Sequence, residues 1–175
     1  MKTSRNIELK ARCNDLSAAA QAAIELGAHR VGELVQTDTY FHSPRGRLKL
    51  REIEGQGAEL IWYDRPNNSD FRASDYYVVA VSDAAKMKAA LTASMGLLVE
   101  VRKRRELLMF ENVRIHLDHV DGLGTFVEFE AVLEQAVDQR VSLERLASLK
   151  SALHIHDQHC IDVSYSDLID PRPKE

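Results

Sequence analysis

Apolar and polar residues alternate with period two through most of this chain. In Asn6–Arg12 (NIELKAR), Ile7, Leu9 and Ala11 fall on one side, with Asn6, Glu8, Lys10 and Arg12 on the other. Strict alternation marks a strand with one buried face. The same pattern, with Val, Thr and aromatic enrichment, predicts strands over residues 30–41, 47–52, 58–65, 71–81, 98–110, 112–120 and 125–133. Three stretches break the alternation and read as helices. Asp15 caps an alanine-rich run that stops at Gly27, Asp83 opens a second run closed by Gly96, and a third begins near Ser142 (SLERLASLKSAL). A short tail with SYSDLI follows. The connections HSPRG, EGQG and DGLG are turns. Strands joined by such short turns pair antiparallel and tend to close into a barrel-like sheet. The expected class is α+β. With no repeat or long linker, we expect one domain over residues 1–170 and a flexible tail at 171–175.

Composition narrows the class. The 175 residues are 45% hydrophobic and 29% charged, as in ordinary soluble proteins. A net charge of −4 argues against a general nucleic-acid coat. No apolar run approaches the ~18 residues that span a bilayer, and MKTSRNIE lacks a secretory apolar core. Cys13 and Cys160 fit neither a metal spacing nor a disulfide framework, so reduced thiols in a cytoplasmic protein are expected. No nucleic acid or membrane partner is expected.

The charges are sorted by face. Arg47, Lys49 and Arg51 share a side, as do Lys103 and Arg105, Arg114, His116 and Asp118, and Glu128 and Glu130. Taken singly, each such face belongs in water. Taken together with helices that must bury their own apolar stripes, they fit a sheet curled with its charged side inward. Such a lumen needs a ligand, because buried charges must be paired or hydrated. A polyanion with divalent cations satisfies both signs. Arg and Lys take phosphate oxygens, and carboxylates hold Mg²⁺ or Mn²⁺.

At these residues the chain resembles the CYTH family, the triphosphate tunnel metalloenzymes, which include class IV adenylate cyclases, thiamine triphosphatases and inorganic triphosphatases. The resemblance runs from Asn6 to about Ile169. It rests on Asn6-Ile7-Glu8-Leu9-Lys10 in place of Glu-x-Glu-x-Lys, and on QTDTYF (Gln36–Phe41), LKLRE (Leu48–Glu52), VRKRRE (Val101–Glu106), LDHVDGLGTFVEFE (Leu117–Glu130) and SYSDLI (Ser164–Ile169). The fold it implies is an eight-stranded antiparallel β-barrel, a tunnel, with helices packed outside. It implies metal ligands at Glu8, Glu128 and Glu130, with Asp118 near that wall. It also implies phosphate-binding cations at Lys10, Arg12, Lys49, Arg51, Arg72, Lys103, Arg105 and Arg114. Two departures stand out. Asn6 replaces the first signature Glu and removes one negative charge from the metal site. Asp64 stands where the family tends to have Lys, so Arg65 is a candidate only if a bulge turns it inward.

The expected partner is a nucleoside triphosphate or inorganic polyphosphate, with Mg²⁺ or Mn²⁺ as cofactor. The expected reaction most resembles that of class IV adenylate cyclases, ATP to cyclic AMP and pyrophosphate, with Lys10, Glu8 and Glu130 as catalytic candidates. The alternatives are an inorganic or thiamine triphosphatase and a non-catalytic polyphosphate- or nucleotide-binding module. A lipid-carrying barrel conflicts with the charged strand faces. The cyclase-like resemblance implies a homodimer. Elsewhere, HIHDQHC (His154–Cys160) reads as a solvated loop, Tyr40 as packing or lining the tunnel mouth, and Trp62 as an apolar anchor between sheet and helix. His116 is read as either touching phosphate or pairing with Asp118.

Overall fold

The computed structural model of the protein describes residues 4–64, 71–133 and 138–170. Eight strands form: β1 (Ser4–Arg12), β2 (His29–Phe41), β3 (Arg47–Ile53), β4 (Gly57–Asp64), β5 (Arg72–Val81), β6 (Leu97–Phe110), β7 (Val113–Val120) and β8 (Gly124–Val132). All pairings are antiparallel, and the order β1-β5-β4-β3-β2-β6-β7-β8 closes into a barrel. The closing seam joins the two chain-distant strands β1 and β8, with Glu8 opposite Glu130 and Lys10 opposite Glu128. The α+β barrel with helices outside is therefore the fold, and the period-two reading located each strand.

Helix α1 (Leu16–Glu25) starts where Asp15 Oδ1 accepts the Ala18 amide at 2.9 Å. Its buried residues are Ala19, Ala20 and Ala23, small enough to lie close on the sheet. Helix α3 (Gln139–Ala152) begins three residues before the expected Ser142, because Asp138 caps it by accepting the Arg140 amide. It buries Leu146 and Leu149. Both helices pack on the outer faces of β7 and β8. There Leu9, Ile115, Leu117, Val127 and Phe129 form the principal core. Helix α2 (Ala84–Met95) lies over β2, β3 and β4 and buries no residue. Among the described residues no helix is long and apolar enough to cross a membrane.

The second core lies inside the barrel. Tyr40, Val101, Val120 and Phe126 fill one end of the lumen, with Tyr165 packed among them. Tyr165 comes from α4 (Tyr165–Ile169), in a segment read from sequence as tail. The chain after α3 reaches this end along β1: Cys160 bridges Ala11, and the Ile161 amide donates to the Lys10 carbonyl at 2.8 Å. Within HIHDQHC, Asp157–His159 form a single 3₁₀ turn, and Lys150 pairs with Asp157 at 2.5 Å. Trp62 differs from expectation. It donates to the Arg45 carbonyl at 3.0 Å and leans on Tyr77 of the next strand, so it anchors a turn to the sheet's outer face.

Candidate functional site

Alternation turns the charged sides inward around a cavity of about 290 Å³. Lys10, Lys49, Lys103 and Arg105 line it, each 7% exposed or less, a degree of burial that demands counter-charges. Arg51 and Arg114 line it as well, with Glu8, Glu128, Glu130 and His116.

Asp38 supplies one counter-charge. It stands on β2 opposite Arg51 and is 1% exposed. Its oxygens lie 2.9 Å from Lys49 Nζ, 3.1 Å from Arg51 Nε and 3.5 Å from Lys103 Nζ, and Gln36 Nε2 donates to it at 3.0 Å. Burial alone would raise this carboxyl. Lys49, Arg51 and Lys103 instead hold it well below the usual carboxylate range. Burial, helped by Arg51, pulls Lys49 down to about 7 against the opposing pull of Asp38.

Asp118 supplies another. Arg105 donates to both its oxygens at 2.6 Å, and the Tyr165 hydroxyl donates at 2.9 Å. This fork fixes the guanidinium, whose third contact is Glu128 at 3.0 Å. The Lys10 ammonium lies 3.9 Å from the Tyr165 ring centroid and Lys103 lies 5.1 Å from it, so the same tyrosine also seats two lysines.

Glu128 faces Lys10 at 3.6 Å and His116 Nδ1 at 3.6 Å. Burial would raise it, but Lys10, His116 and Arg105 keep it well below its ordinary value. Glu130 accepts hydrogen bonds from Asn6 Nδ2 and from Arg114 at 3.3 Å. Burial and the Arg105 charge push His116 down despite the opposing pull of both glutamates.

A profile of the CYTH domain matches residues 4–165. The chain belongs to the CYTH family. A protein named "Putative adenylate cyclase" from Methanocaldococcus jannaschii is 24% identical over 170 residues, covering 93% of this chain and 97% of that one. A structure of the PH1012 protein from Pyrococcus horikoshii superposes with a TM-score of 0.82 at 20% identity, covering 93% of this chain and 98% of that chain. A structure titled as a "putative adenylate cyclase" from Vibrio parahaemolyticus gives 0.76 at 20% identity, covering 96% and 99%. At these identities the structural likeness concerns the fold.

The CYTH barrel brings most of the expected residues together, with some exceptions. Asp118 is set behind Arg105, both oxygens engaged, and does not line the cavity, contrary to the expected place beside the metal ligands. Arg12 ends β1 past the point where Phe126 fills the lumen. It is exposed, donates to the Leu123 carbonyl at 3.3 Å and lies over the Phe126 ring, outside the cavity. Arg72 stands opposite Glu8 in the ladder, its side chain outside the described set. Arg65 lies outside the described residues, as does the tail at 171–175. Asp64 points away from the lumen toward Arg45. Sequence reasoning assigned no role to Asp38 or Tyr165. The signals were there: Gln36, Asp38 and Tyr40 alternate on one face, and Ser164-x-x-Asp167 is a helix capping box that sets Tyr165 as the first helical residue.

CYTH proteins are generally metal-dependent, and the donors here suit a hard divalent ion. Glu8, Glu128 and Glu130 stand on the adjacent strands β1 and β8. Asn6, beside them, is buried with its Oδ1 lacking a hydrogen-bond partner. All four offer oxygen, the ligand type that Mg²⁺ and Mn²⁺ prefer. Among the described residues no three such side chains already converge as a metal centre. Glu128 and Glu130 are drawn instead to the cations that flank them.

Proposed function

We propose that this CYTH protein is a metal-dependent enzyme acting on a triphosphate, and that its reaction is of the class IV adenylate cyclase kind, converting ATP to cyclic AMP and pyrophosphate. The observation that carries this reading is the convergence of Lys10, Lys49, Arg51, Lys103 and Arg105 on one cavity with Glu8, Glu128 and Glu130 at its side. Cations and carboxylates gathered around one cavity match a phosphate chain carrying a divalent cation.

Glu8, Glu128 and Glu130, with the Asn6 carbonyl oxygen, would hold Mg²⁺ or Mn²⁺, which when bound withdraws charge from phosphate oxygens and acidifies a coordinated hydroxyl. The protein's own part is positioning and charge neutralisation. Arg105, held by Asp118 through Nε and Nη2, keeps its Nη1 amino group for phosphate oxygens. Lys49, Arg51 and Lys103, gathered by Asp38, receive the pyrophosphate as the 3′-hydroxyl displaces it from the α-phosphorus. Lys10 lies between Glu128 and the Tyr165 ring, where it neutralises the reacting phosphate or moves a proton. In the second role, a pH–rate profile loses one ionisation in Lys10→Met; an unchanged profile leaves Lys10 as a phosphate ligand only.

Asn6 favours a second reading. One carboxylate fewer at the metal side suits a binding module without turnover, and a triphosphatase acting on thiamine triphosphate or tripolyphosphate would use the same cation-lined cavity. A panel with Mg²⁺ or Mn²⁺ separates them. ATP, thiamine triphosphate and tripolyphosphate are supplied in turn, and cyclic AMP is scored against free phosphate. Cyclic AMP from ATP, falling at least about a hundredfold in Glu130→Gln, supports the cyclase reading. Phosphate release without cyclic AMP selects hydrolysis, and binding without product selects the module. The protein is further proposed to act in the cytoplasm as a homodimer, which size-exclusion chromatography with light scattering checks.

A further inference from the structure

β2 has a neighbour on both sides over only part of its length. β6 pairs with it from His29 to Phe41, whereas β3 reaches only Gln36–Phe41. The last bond on the β3 side runs from the Glu54 amide to the Val35 carbonyl at 3.0 Å. His29–Glu33 are exposed, and nothing stands within 4 Å of where a Gly32 side chain would begin. Residues 29–34 (HRVGEL) include neither Lys nor Pro, the residues that commonly guard such a strand.

This stretch also carries a charge that its own chain leaves unbalanced. Glu33 stands directly opposite Glu106 on β6, a like-charge pair that weakens the ladder. Arg30 binds Glu106 at 2.6 Å, and Glu33 has no ion pair among the described residues. A register shift between Arg30 and Gly32 offsets the period-two alternation, so Arg30 and Glu33 share the outer face with Glu106. The bulge thus gathers two glutamates around one arginine. The strand's own sequence supplies a second cation when a copy runs the other way. In an antiparallel pair with two-fold symmetry about Val31–Gly32, Arg30 of each copy faces Glu33 of the other.

We infer that a second copy of this chain pairs antiparallel along residues 29–34 of β2, joining two barrels side by side around a two-fold axis at Val31–Gly32. This rests on the homodimer reading above and names the surface that makes it. Backbone hydrogen bonds hold the two strands, and the two Arg30–Glu33 contacts select their register. Apolar surface adds to both. Val31 and Val35 are 56% and 50% exposed, and Leu26, at the foot of α1 just before β2, is 36% exposed. The antiparallel run carries each Leu26 toward the other copy's Val35. Past Val35 a groove between α2 and the β3–β4 turn, lined by Ile53, Ala58 and Val81, extends the contact beyond the strand itself.

Sedimentation equilibrium on the wild type, Arg30→Glu, Glu33→Arg and an equimolar mixture of the two variants tests this. The wild type should dimerise, and each variant alone should weaken the dimer at least about tenfold, because both contacts become like-charged. The mixture should return to within about threefold of the wild type, since each contact again joins opposite charges. Thermal melts report that both variants are folded. Amide exchange needs no substitution: in the wild type, residues 29–34 should slow at least about tenfold as concentration rises through the dissociation constant. A wild-type dimer that keeps fast exchange there, variants that dimerise like the wild type, or a mixture no tighter than its components overturns the β2 pairing while leaving the homodimer intact. A wild type that stays monomeric at every concentration overturns both.

Discussion

At the scale of single residues, Asp38 has the widest consequences. One carboxylate compensates Lys49, Arg51 and Lys103. Asp38→Asn takes the carboxylate from Lys49 and Arg51 and leaves Lys103 with Asp118 at 3.9 Å, and is expected to cost about 3–5 kcal/mol in chemical denaturation. Added tripolyphosphate should restore more of the melting temperature in this variant than in the wild type, because it supplies the missing negative charge. Lys49 carries a pH signature. With its ammonium titrating at about 7, it is charged in acid and neutral above that point. Affinity for tripolyphosphate should therefore fall as pH rises through about 7, and the fall should vanish in Lys49→Arg, which stays charged. The sign for stability is the reverse. The unfolded chain keeps the Lys49 proton up to the ordinary lysine value, so between about 7 and 10.5 this residue makes stability rise with pH. The inward cations were legible in the sequence because alternation assigns faces. Their pairing was not, since the fork from Arg105 to Asp118 depends on the register between β6 and β7.

Among the elements, α4 is short and does much for its length. Ser164 accepts from the Asp167 amide and Asp167 returns a bond to the Ser164 amide, a reciprocal cap that holds a helix too short to persist alone. Asp167 also pairs with Arg47 at 2.8 Å. Ser164→Ala should cost about 1 kcal/mol. Because Tyr165 would lose its fixed entry angle, turnover should drop more than this stability loss accounts for; kcat measured well below the unfolding temperature checks it. The segment looked like tail because five residues are too few for helical periodicity to show. Its capping signature was the only local cue, and its role arises from contact with strands far back in the chain. The strands, by contrast, were legible because each carries its own alternating record. The start of α3 was missed by three residues because its cap, Asp138, sits ahead of the apolar stripe.

At the scale of the whole molecule, the barrel closes by joining its first and last strands. Refolding should accordingly run in the millisecond-to-second range of proteins dominated by distant pairings, and stopped-flow fluorescence of Trp62 can follow it. A microsecond phase carrying the full amplitude would contradict that. Closure also governs how this protein can meet another. A sheet with ends offers unmatched amides onto which a foreign segment can knit itself; this ring leaves them where a strand outruns its neighbour, as His29–Leu34 of β2 do beyond β3. Elsewhere whatever docks, a second copy included, must be recognised by side chains on the helices and the outer sheet surface, while on β2 the exposed Val31 and Val35 stand beside that open edge.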